Sequence, residues 1–425
     1  MEKKKQHTDR VANRLESVRG TRPIIDGYYE GIRQAAKKGE LVGWHVGEAP
    51  RFVFEAAGIY FGGTGHWAAY LAARHANLPL LEAAESEGYP SDMCPYFKTL
   101  IGYSILMARN ELDGNISEEY RLGGPPDFLF SRAPCSQAVQ SLAAIQHYLK
   151  VPVFVMDTPF VYDEENADRY YDYVQHQTDD LIRFIEQLTG RPYPWHILQD
   201  KIRAIKKEHS LREEIWKLSQ TFPLPVGMGD WFMILGPTNT QKGSSIEYLQ
   251  RVKAEVEERV AHGVGTIPEE KIRLYWYEII PWYRLGSLTE TLARHNVVVV
   301  PGNYGLGDPR PEIWDTERPV LSCVREFYDH QTRHILYHRY EESYKKRALP
   351  FNVDGAIYGA SRGCKEISKA SYDVAEKFER ETGIPTLVIT PNHADPRDYT
   401  PSDAEELILK FVGSLKQRRR QTGQS

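Results

Sequence analysis

The sequence predicts an α/β fold with two Rossmann- or flavodoxin-like parallel-sheet domains and a helical region between them. Three observations predict it. Short apolar runs of the kind that form buried parallel strands occur in both the first and the last third of the chain, separated by helix-like segments. From Asp163 to about Gly265 that pattern gives way to long, charge-rich helical periodicity. A chain of 425 residues is also too long for one small core. The expected division is 1–160 for N-terminal helices and the first α/β domain, 161–265 for the helical region, and 266–425 for the second α/β domain.

Taken in order, the polar stretch to about Lys38 reads as helical. Leu41 to Gly47 reads as a strand entering a glycine-containing turn. Asp127–Phe130 and Val151–Met156 read as buried strands, with a helix from Ser136 to Leu149 between them, which makes one strand–helix–strand unit. In the middle region, Asp180–Leu188 and Ile246–Val252 carry apolar residues three and four apart. Gly190 and Gly263 stand where C-terminal caps belong. The last third supplies strands at Lys271–Tyr277, Val297–Val300, Ala356–Tyr358 and Thr386–Thr390. A helix is predicted over Ser368–Glu381, ending at Gly383, and Ser402-Asp403-Ala404-Glu405 is a capping box for the final helix. No internal repeat appears.

Composition removes several function classes. The formal net charge of −5 gives no electrostatic support to nucleic-acid or anionic-membrane binding, and the basic run Lys416–Arg420 reads as a solvated end. No stretch approaches the roughly 20 apolar residues of a membrane span, and the charged N-terminus lacks a secretory core. A cytoplasmic protein is expected. In that compartment four cysteines are inert thiols, ligands or nucleophiles, not disulfides.

Phosphate loops fail on inspection. Gln241-Lys242-Gly243-Ser244-Ser245 lacks Walker glycine spacing, and Gly305-Leu306-Gly307-Asp308 lacks a third glycine, so both read as turns. Asn392-His393-Ala394-Asp395-Pro396-Arg397-Asp398 reads as a loop leaving a strand, not as a metal loop. There is no Gly-x-Ser-x-Gly elbow and no Cys-x-x-Cys pair. Cys135 and Cys364 each fall just after a predicted strand and at the start of a helix. There, free backbone N–H groups and the helix dipole favour a thiolate. Position alone leaves buried thiols and ligands both open.

Ordered motifs add to this. Leu81 to Tyr89, then Asp92-Met93-Cys94-Pro95-Tyr96 and Ile101-Gly102, resemble the first cysteine motif of the benzoyl-CoA reductase/2-hydroxyacyl-CoA dehydratase family (the 2-hydroxyglutaryl-CoA dehydratase D-component). Cys135 precedes a helix and then Val153-Phe154-Val155-Met156-Asp157-Thr158-Pro159-Phe160, similar to that family's strand and turn. Arg362-Gly363-Cys364-Lys365 resembles its third cysteine motif, and Ala394 to Tyr399 its closing loop. The likeness runs from about Val42 to Leu415.

The resemblance implies an iron–sulfur subunit holding a 4Fe–4S cluster through Cys94, Cys135 and Cys364, with a double-cubane cluster as the alternative. Cys323 matches no ligand motif and reads as a structural thiol. Three thiolates leave one iron open. Reducing a CoA thioester needs an electron near the low end of cluster potentials, about −700 mV. The family implies that an ATP-dependent iron–sulfur activator supplies it, and that a paralogous second subunit completes the enzyme.

The expected function is a benzoyl-CoA reductase-like subunit reducing an aromatic acyl-CoA. The alternatives are a 2-hydroxyacyl-CoA dehydratase subunit, a double-cubane-type reductase, or a non-catalytic partner subunit. Dehydratase-type subunits carry a Pro-Glu-Asn/Gln stretch where this chain has Gly62-Gly63-Thr64-Gly65-His66-Trp67. The turn His45-Val46-Gly47-Glu48-Ala49-Pro50 also lacks their serine-rich character. His66, His45 and Glu48 are accordingly the candidate proton donors or substrate contacts, against a reading as turn and pocket-wall residues.

Overall fold

Two four-stranded sheets, each with every strand parallel to its neighbours, organise the chain. The structure, a computed structural model, describes residues 10–47, 49–133, 135–159, 167–240, 245–302, 309–326, 340–398 and 401–423. Glu48, both glycine-turn candidates apart from Ser245, and the side chains of the capping box before Ala404 lie outside the described residues.

The N-terminal helices α1 (Glu16–Arg19) and α2 (Arg22–Lys38) lead into β1 (Val42–His45). Then come α3 (Arg51–Ala56), β2 (Tyr60–Gly63), α4 (Thr64–Ala72), α5 (Leu78–Ser86), α6 (Pro95–Ala108), β3 (Phe128–Ser131), α7 (Ser136–Leu149) and β4 (Val153–Val155). The order across this sheet is β2-β1-β3-β4. The helical stretch holds α8 (Ala167–Thr189), α9 (Trp195–Leu218), α10 (Met228–Thr240) and α11 (Ile246–Ala261). The second sheet follows with β5 (Ile272–Glu278), α12 (Leu285–Arg294), β6 (Val297–Val299), α13 (Tyr340–Ala348) and β7 (Gly355–Gly359). The chain then runs through α14 (Lys365–Ser368), α15 (Ser371–Thr382), β8 (Thr386–Ile389) and α16 (Pro401–Thr422). Its order, β6-β5-β7-β8, repeats that of the first sheet. The repeat lies in the topology and not in the sequence.

Local chemistry explains the differences from expectation. β2 is not predicted by the sequence, because Gly62 and Gly63 are poor strand formers. Gly63 pairs with His45, and a Cβ on it would lie 1.9–2.1 Å from three atoms of the His45 ring, so only glycine fits. β4 is an edge strand with Val155 46% exposed, where the apolar run predicts a buried one. The single helix predicted over Ser368–Glu381 is two. α14 stops as the Ser368 hydroxyl bonds the Ser361 carbonyl at 2.6 Å and the Ser371 hydroxyl bonds the Ser368 carbonyl at 2.8 Å, and α15 starts at Ser371. Gly190 and Gly383 adopt the positive φ expected of C-terminal caps.

The two sheets are packed into one another by the loop after β8. Ala394 is buried in the core beneath the first sheet. Lys98 on α6, fully buried, bonds Glu85 at 2.6 Å and lies 3.5 Å from Asp395. Arg397 closes the network on Glu85 and Asp395, both at 2.6 Å. Among the described residues no helix is long and apolar enough to cross a membrane.

Candidate functional site

In each sheet the chain turns in opposite directions after its first and third strands, which opens a crevice at the carboxyl ends of those neighbours. Chemistry-bearing side chains gather at both crevices. At the first are His45, which ends β1, and Cys135, which follows β3. At the second are Glu278, which ends β5, and Cys364, which follows β7.

Cys94, Cys135 and Cys364 share one local setting: each is the residue immediately before the first turn of a helix, α6, α7 and α14 respectively. Pro95 favours the start of α6, because its fixed φ suits the first helical position and no N–H is lost. The three loops interlock. The Cys94 amide donates to Gln137 Oε1 at 2.7 Å, in the first turn of the helix that Cys135 begins. A Cβ on Gly363 would meet Pro95 Cδ at 2.5 Å, so the Cys364 loop presses directly on the Cys94 loop. Lys365 and Asp92 pair across the same contact at 3.2 Å.

Burial pushes the Cys94 thiol up to about 12, with the Phe97 and Tyr96 amides at the helix start pulling the other way. Cys364 is raised further, first by burial and then by proximity to Cys94. Cys135 is raised by burial, with the Ala138 amide and the Arg132 guanidinium opposing. Burial thus favours the protonated thiol at all three positions. Cys323 lies elsewhere, fully buried in an apolar cluster with Trp314, Val320 and Phe54.

His45 and His66 come together at the end of the first sheet. His45 Nδ1 lies 2.6 Å from the Gly47 carbonyl, which can only accept, so Nδ1 carries the proton and Nε2 a lone pair. His66 Nδ1 lies 2.5 Å from the Tyr29 hydroxyl. Burial holds Tyr29 protonated, and its hydroxyl can donate to Nδ1 or accept from it, so either neutral tautomer of His66 satisfies the pair. Both rings are pushed down to about 4, first by burial and then, for His66, by the Arg51 cation. Two neutral imidazoles thus lie at this end of the sheet, with His45 offering an acceptor at Nε2.

Several residues at these crevices carry no sequence signal. Glu278 has a left-handed backbone, φ +65, and burial raises its carboxyl to about 7; the Tyr344 hydroxyl donates to it. Its effect on the Cys364 thiol marks it as a near neighbour. His393, in the loop after β8, lies 3.9 Å from Cys94 Sγ. That segment is a loop leaving a strand, as the sequence predicts, and its histidine is part of the cysteine site.

A model of the family described as 2-hydroxyglutaryl-CoA dehydratase, D-component, matches residues 48–411. The chain belongs to that family. The D-component chain is 24% identical to the (R)-2-hydroxyisocaproyl-CoA dehydratase alpha subunit of Clostridioides difficile, covering 93% of this chain and 95% of the relative. It is 24% identical to the lactoyl-CoA dehydratase alpha subunit of Anaerotignum propionicum (92% and 95%). It is likewise 24% identical to a benzoyl-CoA reductase subunit of Thauera aromatica, covering 79% of each. As a D-component family member with these relatives, it is an enzyme subunit.

Among the described residues no group of three His, Cys, Asp or Glu side chains is gathered tightly enough to hold a single metal ion. A cubane makes a different demand, since each thiolate ligand holds its own iron and the sulfurs stand further apart. Three thiols at three helix starts, in loops wedged together at Gly363 and Pro95, fit that donor set.

Proposed function

We propose that this D-component chain is the iron–sulfur subunit of a radical acyl-CoA enzyme, with Cys94, Cys135 and Cys364 as the ligands of a 4Fe–4S cluster. The observation that carries the reading is the convergence of three cysteines from three separate helix starts, each with free N–H groups beside the sulfur. A cluster so held supplies low-potential electron transfer and one iron free of protein ligands. The partners of the reading are a paralogous second subunit, an ATP-dependent iron–sulfur activator and an acyl-CoA thioester.

The chain's own residues prepare the site. The helix starts neutralise part of the thiolate charge, and the interlocked loops hold the sulfurs without reorganisation. His45 offers a proton acceptor at Nε2, and His66 nearby is a second neutral imidazole, so a proton can be taken up here without either ring being charged in the resting state.

Two reactions fit this apparatus. His66, in the Gly62–Trp67 stretch where dehydratase-type subunits carry Pro-Glu-Asn/Gln, and the His45–Pro50 turn without their serine-rich character favour a benzoyl-CoA reductase-like activity on an aromatic acyl-CoA. The fuller match to dehydratase alpha subunits, over more than nine-tenths of both chains, favours a 2-hydroxyacyl-CoA dehydratase. Electron accounting separates them: a reductase consumes electrons with every product, and a dehydratase recycles one electron over many.

The cluster is tested on anaerobically purified protein. A broad brown absorption with bound iron and sulfide is expected, lost when Cys94, Cys135 and Cys364 are together replaced by Ala and kept in Cys323→Ala. A colourless, iron-free protein would sink the reading. Iron per chain separates a single from a double cubane, and turnover with activator but without the paralogue excludes a non-catalytic role.

A further inference from the structure

His393 has no place in the chemistry so far, yet it is wholly buried and its Nε2 stands 3.9 Å from Cys94 Sγ. The imidazole is held on every side. Its Nδ1 lies 2.6 Å from Ser361 Oγ, and Tyr96 packs edge-on against the ring at 4.3 Å between centroids. Its carbonyl accepts from the Trp282 amide at 3.0 Å. Next to it, Asn392 Oδ1 accepts the Ala394 and Asp395 amides, and Asn77 Nδ2 donates to the Ala394 carbonyl at 2.7 Å. A loop tied this closely fixes where the ring points.

We propose that His393 donates an Nε2–H···S hydrogen bond to the Cys94 thiolate and thereby raises the potential of the cluster, with Ser361 fixing the tautomer that makes this possible. The inference rests on the cluster reading above. Its logic is one of donors and acceptors. A metal-bound thiolate only accepts, so the ring must present Nε2–H, and Nδ1 must then accept from the Ser361 hydroxyl, which can donate. In the metal-free protein the same atoms serve in reverse: the Cys94 S–H donates to Nε2, and Nδ1–H donates to Ser361 Oγ. The ring and the Cys94 sulfur have partners in both states without moving a side chain. A bond to charged sulfur in a site this buried strengthens as negative charge grows, so it favours the reduced cluster.

The test is a redox titration of the anaerobically purified full-length chain carrying its cluster. His393→Leu is expected to lower the equilibrium constant for reduction about tenfold, which is 59 mV for a one-electron couple. His393→Gln, which keeps an N–H, recovers part of that loss. Ser361→Ala shifts the potential in the same direction by less, because the ring can then choose its tautomer. A His393→Leu protein with full iron content and an unchanged potential overturns the inference. If that variant loads no cluster, Ser361→Ala decides, and an unchanged potential there overturns it equally. An iron-free wild type would remove the cluster reading itself, a failure distinct from a loaded cluster that ignores His393.

Discussion

His45 lies across Gly63 so closely that the neighbouring strand can carry no side chain at that point. Gly63→Ala is therefore expected to cost about 1–3 kcal/mol through forced displacement of the ring. Gly65, two residues on in α4, has nothing within 4 Å of its missing Cβ, and Gly65→Ala is expected to stabilise by about 0.4–1 kcal/mol. Urea unfolding midpoints that move in opposite directions check the pair; equal shifts would contradict the packing described. The cysteines are legible at this scale because their immediate neighbours carry the signal. His393 is legible only as a loop histidine, because its contact with Cys94 spans 299 positions and nothing local to Asn392–Asp395 ties it to a cysteine. Glu278 is equally silent, since a left-handed backbone at a strand end is set by what surrounds it.

At the level of elements, α6 is the hinge of the arrangement. It begins at Cys94, is buried along nearly its whole length, and carries Lys98 in its first half. Lys98→Met would leave Asp395, 2% exposed, with less of its positive surround, and is expected to cost about 3–5 kcal/mol. Thermal or urea unfolding measures this, and a loss below about 1 kcal/mol would show that Arg397 alone satisfies the acids. Most strands and the long helices are legible from apolar runs and helical spacing. β2 is hidden because its glycines answer to a ring on the adjacent strand, a demand that lies outside its own sequence. The division of the Ser368–Glu381 helix is hidden because serine hydroxyls, which compete with the helix for backbone carbonyls, decide it. β4 reads as buried because its composition is apolar, whereas its position at the sheet edge exposes Val155.

Across the whole molecule, two sheets of identical strand order meet at the cysteine loops, and titratable groups at both crevices bear on stability. His45 and His66 have folded-state values near 4 against an ordinary 6.5, so the stability they protect is complete above pH 6.5 and falls as pH drops toward 4, by about 1.4 kcal/mol per unit for each. Glu278 works the other way. Its value is raised from 4.5 to about 7, so its contribution is complete below pH 4.5 and is lost as pH rises through 7. Between about pH 4.5 and 6.5 the net slope from these three groups is about 1.4 kcal/mol per unit, favouring the higher pH. Glu278→Gln removes the opposing contribution and is expected to steepen the slope by about 1.4 kcal/mol per unit, read from urea unfolding at about pH 5, 5.75 and 6.5. An unchanged slope would mean that Glu278 titrates normally.

The three cysteines also differ in when they come into being. At about 5–20 residues per second of synthesis, Cys364 leaves the ribosome roughly 10–45 s after Cys135, and His393 later still. During that interval the nascent chain holds two thiols, and the third loop that wedges them, at Gly363, does not yet exist. The cysteine site is thus completed late: a product stalled before Gly363 lacks its last corner, and under the cluster reading proposed above three thiolate ligands become available only once that segment has been made.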